Sequence, residues 1–563
     1  MLQGTSGKRS TSEVTHLIDR RVANLRESIR VLHSQRNGLF PISKLPAEIL
    51  TEIFLLHQQN VTENYTVETV DWIGITHVSQ RWREIAVNFS DLWTHIPFYH
   101  PKWAEEMIAR SQHACLIVRA TYNRPKYSSQ GQLLKSFLQK HLSHVQVLEV
   151  QNTSPQLFQD IQPTSVPHLS TLTLSTPWQD PVTESSPLQI IDSRLLNTTL
   201  LKKLEVSTTL GWDSMLFSGL THLRLGDGRN MPRTRTSQRD FLDALRRMPT
   251  LQSLHLKGPA LPETVDRSLL EPVYLPDLQD LSVSNTVPTI EFFLHHVAFP
   301  PTTRTAIGCK QLDSAFQLAN ILPVLVLLKR LLSDRRYTSK IHHIEFPCFE
   351  SYGDWGMIDL SFKGWVSSGP SSLGHEGYNP NFPSDNPDFT FFVQWKWRVD
   401  SLPSDVDEFI AGMFGIFPRD DVVSLSLSSY SIHDTWFTPF SRDIGQLPAL
   451  NTLFLNHISS TPILLDLDCD VPQEGVNPSA ATYPALLYLD FTNCGIDTPA
   501  LKTLYDCLKK RSERGLGPRK LRVDLRGVRE VDEKATALVE KVVEVVWLIE
   551  SADSEDSYPT SDD

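Results

Sequence analysis

The sequence predicts an α/β protein in which a small all-helical head is followed by an irregular solenoid of strand-containing repeats. The head is predicted by two segments before residue 90 in which apolar residues recur at helical spacing. The repeats are predicted by a six-residue frame, apolar-x-x-apolar-x-apolar, which recurs from Val145 onwards. In half of these frames a proline lies two residues before the first residue of the frame. A proline at this position ends the preceding element and allows an extended strand to follow.

Composition limits the partners and the compartment. The chain of 563 residues has 53 Lys and Arg against 65 Asp and Glu, and its net charge of −12 is the wrong sign for a chain that mainly binds nucleic acid. Its six cysteines are widely spaced and form no Cys-x-x-Cys pair, which is typical of reduced thiols. The N-terminal residues lack the apolar core of a signal peptide, and the longest apolar run, residues 321–328, is too short to span a membrane. We therefore expect a cytoplasmic or nuclear protein that binds neither nucleic acid nor membrane.

Residues 14–38 are predicted to form an amphipathic helix after a disordered tail at residues 1–13. The apolar residues of this helix recur at spacings of four and three, the a/d pattern of a coiled coil. Two heptads are short for a coiled coil, so we expect the stripe to dock on the adjacent domain, with dimerisation as the alternative. The stripe consists of Ile18, Val22, Leu25, Ile29 and Leu32.

Residues 39–98 are predicted to form a small helical domain. Pro46 suits the first turn of a helix, where its missing N–H has no intrahelical partner, and apolar residues follow at i+3, i+4, i+7 and i+8. A polar connection leads to a second helical stripe, and Asp91-Leu92-Trp93 closes the domain. The two stripes consist of Ile49, Leu50, Ile53 and Phe54, and of Ile75, Val78, Trp82, Ile85, Ala86 and Phe89.

The domain contains fixed residues in the order Leu45-Pro46-x-Glu-Ile-Leu-x-x-Ile-Phe, a spacer, Val78-Ser-x-x-Trp-Arg-x-Ile-Ala, and Leu92-Trp93. This order resembles the F-box, in the form abundant in basidiomycete fungi. In that family a three-helix domain binds a Skp adaptor, which tethers it to a cullin and a RING subunit. The alternative is that these residues form only the core of a small helical domain, as we expect for Trp82 and Phe54. The resemblance implies that the adaptor-binding residues are Leu45, Pro46, Ile49, Leu50, Ile53, Val78 and Trp82.

A repeat domain is predicted for residues 99–550. Most intervals between frames are one repeat long, and the alternating apolar side chains of each frame would point from a strand into a shared core. This pattern resembles the degenerate leucine-rich repeats that commonly follow an F-box, although most units lack the asparagine of the consensus. A closed α/β domain is the competing fold, and repeats of this length favour the solenoid. The frames begin at Val145, Leu169, Leu201, Leu220, Leu251, Leu278, Ile341, Val422, Leu450 and Leu486.

The longest interval between frames contains an insertion at residues 351–400. Apolar residues alternate from Leu360 to Gly364 and again from Phe389 to Val399, which predicts a β-hairpin. The connection at residues 367–388 is rich in Gly, Pro and Ser and is predicted to be a mobile loop. The face that carries Trp395 and Trp397 could bind a ligand, but a buried face packed on the solenoid is favoured.

The C-terminal region is predicted to close the repeats. Residues 520–528 resemble a final strand, and residues 531–549 are predicted to form an amphipathic capping helix. Residues 551–563 carry five acidic residues and no basic one, which predicts a disordered acidic tail.

The sequence contains no recognisable catalytic motif. A Gly-x-Ser-x-Gly elbow, a His-Glu-x-x-His pair and a Gly-x-Gly-x-x-Gly turn are all missing. The adjacent pairs His295-His296 and His342-His343 cannot chelate a metal alone, because neighbouring side chains point in different directions. We expect a non-catalytic protein without a metal or cofactor, and a hydrolase assembled from distant segments is the remaining enzymatic alternative.

The third and fifth residues of each frame are expected to face outwards, on the surface that such solenoids use for binding. Near the centre of the array these positions are basic, although the chain as a whole is acidic. A solvated face of mixed charge is the favoured interpretation, and a pocket for an acidic or phosphorylated client segment is the sharper one. The candidate client-binding residues are Lys203, His222, Arg224, His255 and Lys257.

The F-box resemblance implies that this chain is the client-recognition subunit of an SCF-type (Skp–cullin–F-box) ubiquitin ligase. The head would bind the adaptor, and the repeats would hold an unidentified client protein near a charged ubiquitin carrier, so that proximity replaces local chemistry. The alternative is a non-catalytic leucine-rich-repeat scaffold whose helical head is a cap without a ligase role. Binding to a Skp adaptor distinguishes these two hypotheses.

Overall fold

A computed structural model shows a mixed α/β chain, in which an N-terminal helical region is followed by a large, mostly parallel sheet. The chain divides into two compact units, Met1–Leu204 and Glu205–Asp563. The structure describes residues 11–64, 70–121, 129–152, 156–159, 161–175, 193–207, 211–226, 237–262, 270–312, 320–335, 340–352, 357–366, 387–396, 412–428, 444–458, 460–467, 482–525 and 533–548.

The first unit begins with the helical region. Its first helix begins at Thr11, and the side chains described from residue 12 to residue 36 are exposed, so the predicted docking of the apolar stripe on the adjacent domain is not observed. The helices are α1 (Thr11–Gly38), α2 (Ala47–Asn64), α3 (Gln80–Asn88), α4 (Pro101–Ser111), α5 (Ser129–His141) and α6 (Gln156–Gln159), with 3-10 helices at Pro41–Lys44, Asp71–His77, Ser90–Trp93 and Leu142–His144.

Aromatic packing forms the core of the head. The ring centroids of Trp72 and Trp93 lie 5.2 Å apart, and both side chains are buried. The Trp93 indole Nε1 donates to the Ala86 carbonyl oxygen at 2.7 Å, and the buried Gln58 amide donates to the Leu92 carbonyl oxygen at 2.8 Å. These bonds satisfy polar groups inside the core, and they fix the segment that contains Leu92-Trp93 against α2 and α3.

Short parallel strands complete the first unit. β1 pairs with β2, and β2 pairs with β4, both in parallel, while β3 and β5 form a separate parallel pair. The strand β6 crosses the boundary between the units. The strands are β1 (Leu116–Thr121), β2 (Val145–Gln151), β3 (Thr164–Ser165), β4 (Thr171–Leu174), β5 (Leu195–Leu196) and β6 (Lys203–Val206).

The second unit is dominated by its sheet. Its strands are β7 (His222–Leu225), β8 (Ser253–Lys257), β9 (Val273–Tyr274), β10 (Asp280–Asn285), β11 (Val297–Ala298), β12 (Arg304–Leu312), β13 (His343–Tyr352), β14 (Met357–Trp365), β15 (Phe389–Lys396), β16 (Ser424–Ser428), β17 (Thr452–Asn456), β18 (Tyr488–Thr492), β19 (Lys520–Asp524) and β20 (Glu544–Leu548). The order in the sheet is β7-β8-β10-β12-β15-β14-β13-β16-β17-β18-β19-β20, and β9 pairs with β11 separately.

Helices and short 3-10 turns connect the strands of the second unit. The α-helices are α7 (Gln238–Arg246), α8 (Val287–His296), α9 (Leu322–Arg335), α10 (Thr461–Leu467), α11 (Thr498–Glu513) and α12 (Glu533–Glu540), with 3-10 helices at Gly258–Ala260 and Arg419–Asp421. Among them, α7 begins with a Ser237 hydroxyl cap on the Asp240 amide, and its inner face buries Phe241 and Leu245.

The ten predicted frames all lead into strands, so this part of the sequence prediction is confirmed. Nine strands begin two residues after the first residue of a frame, and the tenth begins at Val145 itself. Within each frame the alternation places the apolar residues in the core: Leu254 and Leu256 are fully buried, whereas His255 between them is not. The prolines that precede the frames lie in turns, as predicted. In one example, Pro249 lies inside a turn that is closed by a 3.2 Å hydrogen bond from the Leu251 amide to the Met248 carbonyl oxygen.

One repeated hydrogen-bond arrangement aligns the start of successive strands. The Gln252 carbonyl oxygen accepts bonds from the Gln279 and Asp280 amides at 2.8 and 3.0 Å. The Asn451 carbonyl oxygen does the same for Leu487 and Tyr488, at 2.7 and 2.9 Å. Each turn therefore fixes the position at which the next strand begins.

The predicted hairpin of the insertion is present, but it lies within the sheet. β14 and β15 pair antiparallel, with Phe362 opposite Phe391, and β15 also pairs in parallel with β12. On the other side β13 pairs with β14 and, in parallel, with β16, so the insertion contributes its own strands to the sheet instead of packing on one of its faces. Phe389, Phe391 and Val393 are fully buried.

Several predictions fall on residues that the structure does not describe. Trp397, residues 367–386 of the loop predicted at 367–388, and the tail predicted at residues 551–563 lie outside the described residues. Of the tail predicted at residues 1–13, residues 1–10 lie outside them too, and the prediction is wrong for residues 11–13, which form the first turn of α1.

The predicted C-terminal capping helix at residues 531–549 is wrong in its second half. The helix α12 ends at Glu540, and residues 544–548 form the strand β20, which pairs in parallel with β19. β-Branched valines favour a strand when an edge is free to pair with them. The leucine frame also does not predict the strands β1, β3, β5, β9, β11 and β12.

No helix in the described part of the chain is both long and apolar enough to cross a membrane.

The segment after the head is joined to β1 beside a buried histidine. The Ile117 amide donates to the Thr94 carbonyl oxygen at 2.9 Å, and the Ile96 amide donates to the Ile117 carbonyl oxygen at 3.2 Å. His95 lies between these two bonds. Burial and the charge of Arg119 lower the pKa of His95 to about 4, so its imidazole is neutral at pH 7.

We expect the first unit to lose stability in acid through His95. Because the folded pKa lies below the unfolded value, the unfolded chain binds the proton first as the pH falls, and stability present near neutral pH is lost between about pH 6.5 and about pH 4. Between pH 7 and pH 4.5, the unfolding free energy of the wild type should fall by about 2 kcal/mol more than that of His95→Gln, as measured by urea titration at both pH values. The same substitution at the exposed His113 is the control, and an unchanged pH dependence in His95→Gln would refute the assignment.

Candidate functional site

The seven residues that the F-box resemblance assigns to adaptor binding differ in exposure. Pro46, Ile49 and Val78 are exposed, with 48 % of Ile49 and 53 % of Val78 accessible to solvent. The other members are Leu45, Ile53 and Trp82, which are half-buried, and Leu50.

Leu50 is fully buried, so its assignment to the adaptor-binding set is corrected. Its neighbour Ile49 lies one residue earlier on α2, which is a rotation of about 100° around the helix. Leu50 and the equally buried Phe54 therefore face the core of the head, while Ile49 faces solvent.

The turn that carries Leu45 and Pro46 is held against α3 by Arg81. The Arg81 guanidinium donates one hydrogen bond to the Ser43 carbonyl oxygen and another to the Leu45 carbonyl oxygen. The Ser43 hydroxyl in turn donates to the Asn37 carbonyl oxygen at 2.7 Å. A charged donor with a planar fork of N–H groups can satisfy two carbonyls at once, so Arg81 fixes the turn relative to the helix that carries Trp82.

The helices α2 and α3 meet through an aromatic contact. The ring centroids of Phe54 and Trp82 lie 5.0 Å apart, with a tilt of 55°. The Ser79 hydroxyl accepts a bond from the Trp82 amide at 3.1 Å and caps the start of α3. This contact places Trp82 of α3 against Phe54, the residue after Ile53 on α2. The cap at Ser79 lies one residue after Val78, which follows the 3-10 helix Asp71–His77.

Further apolar side chains are exposed beside the predicted set. Leu39, Phe40 and Ile42 precede the Leu45-Pro46 turn, and Leu56 follows Ile49 by seven residues on α2, which places both on the same side of the helix. Exposed apolar residues in such a concentration are typical of protein interaction sites. The head face, as defined here, consists of Leu39, Phe40, Ile42, Pro46, Ile49, Leu56 and Val78.

Four of the five predicted client-binding residues lie on two neighbouring strands, β7 and β8. Arg224 is directly opposite His255, and an Arg224 guanidinium nitrogen lies 3.3 Å from His255 Nδ1. His222 is opposite Ser253, and Lys257 lies two residues after His255 on the same side of β8. The fifth residue, Lys203, begins β6 and belongs to the first unit.

Acidic residues lie among these basic ones. Glu205 Oε1 is 3.6 Å from the Arg224 guanidinium, and Asp280 accepts a bond from Arg304 at 3.1 Å on the adjoining strands. Burial, followed by the charge of Arg224, lowers the pKa of His255, and the nearby carboxylates oppose this shift. His255 is therefore uncharged at neutral pH, and the surface around Arg224 has mixed charge.

Among the residues that the structure describes, no group of three or more His, Cys, Asp and Glu side chains is placed to hold a metal ion. Burial raises the pKa of the Cys309 and Cys494 thiols to about 12, so both thiols are protonated at neutral pH.

Comparison with protein-family models and with curated proteins finds no match for this chain.

Proposed function

We propose that this protein is the client-recognition subunit of an SCF-type ubiquitin ligase, in which residues 39–98 bind a Skp-family adaptor and, through it, a cullin. The observation that carries the proposal is the exposure of Pro46, Ile49 and Val78 at positions where the F-box resemblance expects adaptor contacts. The half-buried Leu45, Ile53 and Trp82 lie beside them and would form the floor of the interface.

Such a face would bind chiefly through removal of apolar surface from water. A few well-packed apolar side chains near the centre of an interface carry most of its binding energy. Because Arg81 holds the Leu45-Pro46 turn in place, the face is largely ordered before the adaptor arrives, which lowers the entropic cost of binding.

In this proposal the repeat domain is an irregular leucine-rich-repeat solenoid that selects the client. Support comes from the parallel pairing of β8 with β7 and β10 and from the turns that begin successive strands. The client would bind the outward strand positions around Arg224, His255 and Lys257, and an acidic or phosphorylated segment would gain charge-assisted hydrogen bonds there. The domain does no chemistry of its own and raises the effective concentration of the client near the ubiquitin carrier.

Adaptor binding by the head face can be tested with two substitutions. The double variant Ile49→Ala/Val78→Ala should bind a purified Skp-family adaptor at least about thirty-fold more weakly, a loss of about 2 kcal/mol, because two exposed anchors are shortened. Isothermal calorimetry measures the Kd, and Met215→Ala, which shortens a side chain 73 % exposed in the second unit, should leave it unchanged.

A contrast with Leu50→Ala separates binding from folding. Because Leu50 is buried, this variant should lower the unfolding free energy by about 2 to 5 kcal/mol. If Ile49→Ala/Val78→Ala unfolds like the wild type and still binds the adaptor with an unchanged Kd, the ligase role is wrong and the scaffold hypothesis gains support.

Client recognition can be tested with a library of acidic and phosphoserine peptides. Arg224→Glu/Lys257→Glu should weaken the binding of the best peptides and flatten the dependence of that binding on salt, while adaptor binding stays unchanged. The control Lys329→Glu/Arg330→Glu makes the same change in charge on the exposed side of α9. Peptide binding that responds equally to both double variants would place recognition elsewhere.

A further inference from the structure

The helix α1 carries an apolar stripe that no other described part of the chain covers. Its five predicted a/d residues are between 37 % and 62 % exposed. Outside the stripe, Arg30 donates a hydrogen bond to Gln80 Oε1 of α3 at 3.0 Å. Helices in water obtain most of their stability from packing of an apolar face. A helix of 28 residues, about 42 Å long, therefore indicates a partner for this stripe.

The heptad register of α1 defines which charges flank the stripe. Val22 and Ile29 occupy a positions, and Ile18, Leu25 and Leu32 occupy d positions. The flanking e positions are then Asp19 and Arg26, and the flanking g positions are Arg21 and Ser28. Among the described residues, neither Asp19 nor Arg26 pairs with an opposite charge, whereas Arg30, which lies outside the stripe, pairs with Glu27 at 2.6 Å. The charges beside the stripe are thus available to a second helix.

We propose that the partner is α1 of a second copy of this chain, bound antiparallel. In a parallel pair with the helices in register, each g residue contacts an e residue of the second copy. Arg21 of each copy would therefore face Arg26 of the other. In an antiparallel pair e contacts e, and Asp19 of each copy faces Arg26 of the other. The flanking charges therefore repel in one orientation and attract in the other.

The apolar layers agree with the antiparallel pairing. With the two-fold axis between Ala23 and Asn24, Val22 packs against Leu25 of the second copy, and Ile18 packs against Ile29. The next layer on each side joins Thr15 to Leu32. The axis lies close to the middle of Thr11–Gly38, so the two helices overlap along nearly their whole length. This symmetric arrangement buries the same stripe on both copies, as expected for a two-fold dimer.

Self-association through α1 does not require the head face, because the stripe lies before residue 39. A dimer would carry two heads and two repeat domains, and it would raise the effective concentration of each for a bound client. That consequence rests on the proposed function, whereas the dimer itself does not.

The test is sedimentation velocity of the full-length chain over a wide range of concentration. The wild type should pass from monomer to dimer, and Val22→Glu/Leu25→Glu should remain a monomer. Arg26→Asp should weaken the dimer about ten-fold or more, because Asp then faces Asp19, and Asp19→Arg/Arg26→Asp should restore it. Arg20→Asp, which makes the same charge change on the outer side of α1, is the control and should have no effect.

Each other outcome overturns the proposal. A wild type that stays monomeric removes the dimer, and a dimer that tightens in Arg26→Asp is parallel. A dimer that survives Val22→Glu/Leu25→Glu forms through another surface. A monomeric wild type whose adaptor binding is lost in Val22→Glu/Leu25→Glu, with folding intact, assigns the stripe to the adaptor and leaves the proposed function standing.

Discussion

Successive residues of a strand point to opposite faces of a sheet, and this alternation decides both the core and the exposed surface of the repeat domain. On β8, the burial of Leu254 and Leu256 requires His255 to face outwards. The turns before the strands keep this alternation in step from strand to strand, because each begins where a carbonyl oxygen such as that of Gln252 accepts two amides. The outward position of Arg224 opposite His255 is a consequence of that register.

The head follows the corresponding rule for helices. Ile49 and Leu50 are adjacent in the chain, yet one is exposed and the other fully buried, because the core of the head covers only part of the circumference of α2. The aromatic contact between Phe54 and Trp82 joins α2 to α3. Arg81 then fixes the Leu45-Pro46 turn beside them, so a small core supports an apolar surface that faces solvent.

The parts predicted well are those with a local pattern. Leucine frames located ten strands, and helical spacing located α2 and α3, because each pattern is set by residues close together in sequence. The leucine frame does not predict β12, because Thr305, which pairs with Leu281 of β10, is a buried threonine at a position where the frame requires an apolar residue. The role of Arg81 has no local pattern to reveal it, since its acceptors lie 38 and 36 residues earlier in the chain.

Amide hydrogen exchange of the full chain, with and without a Skp-family adaptor, is the direct test of adaptor binding by the head face. Binding buries backbone amides near the contact and slows their exchange. We predict added protection from residue 41 to residue 56 and from residue 78 to residue 85, with little change from β7 to β19. Protection confined to Glu205–Asp563, or no change in the head at an adaptor concentration that saturates binding, would contradict it.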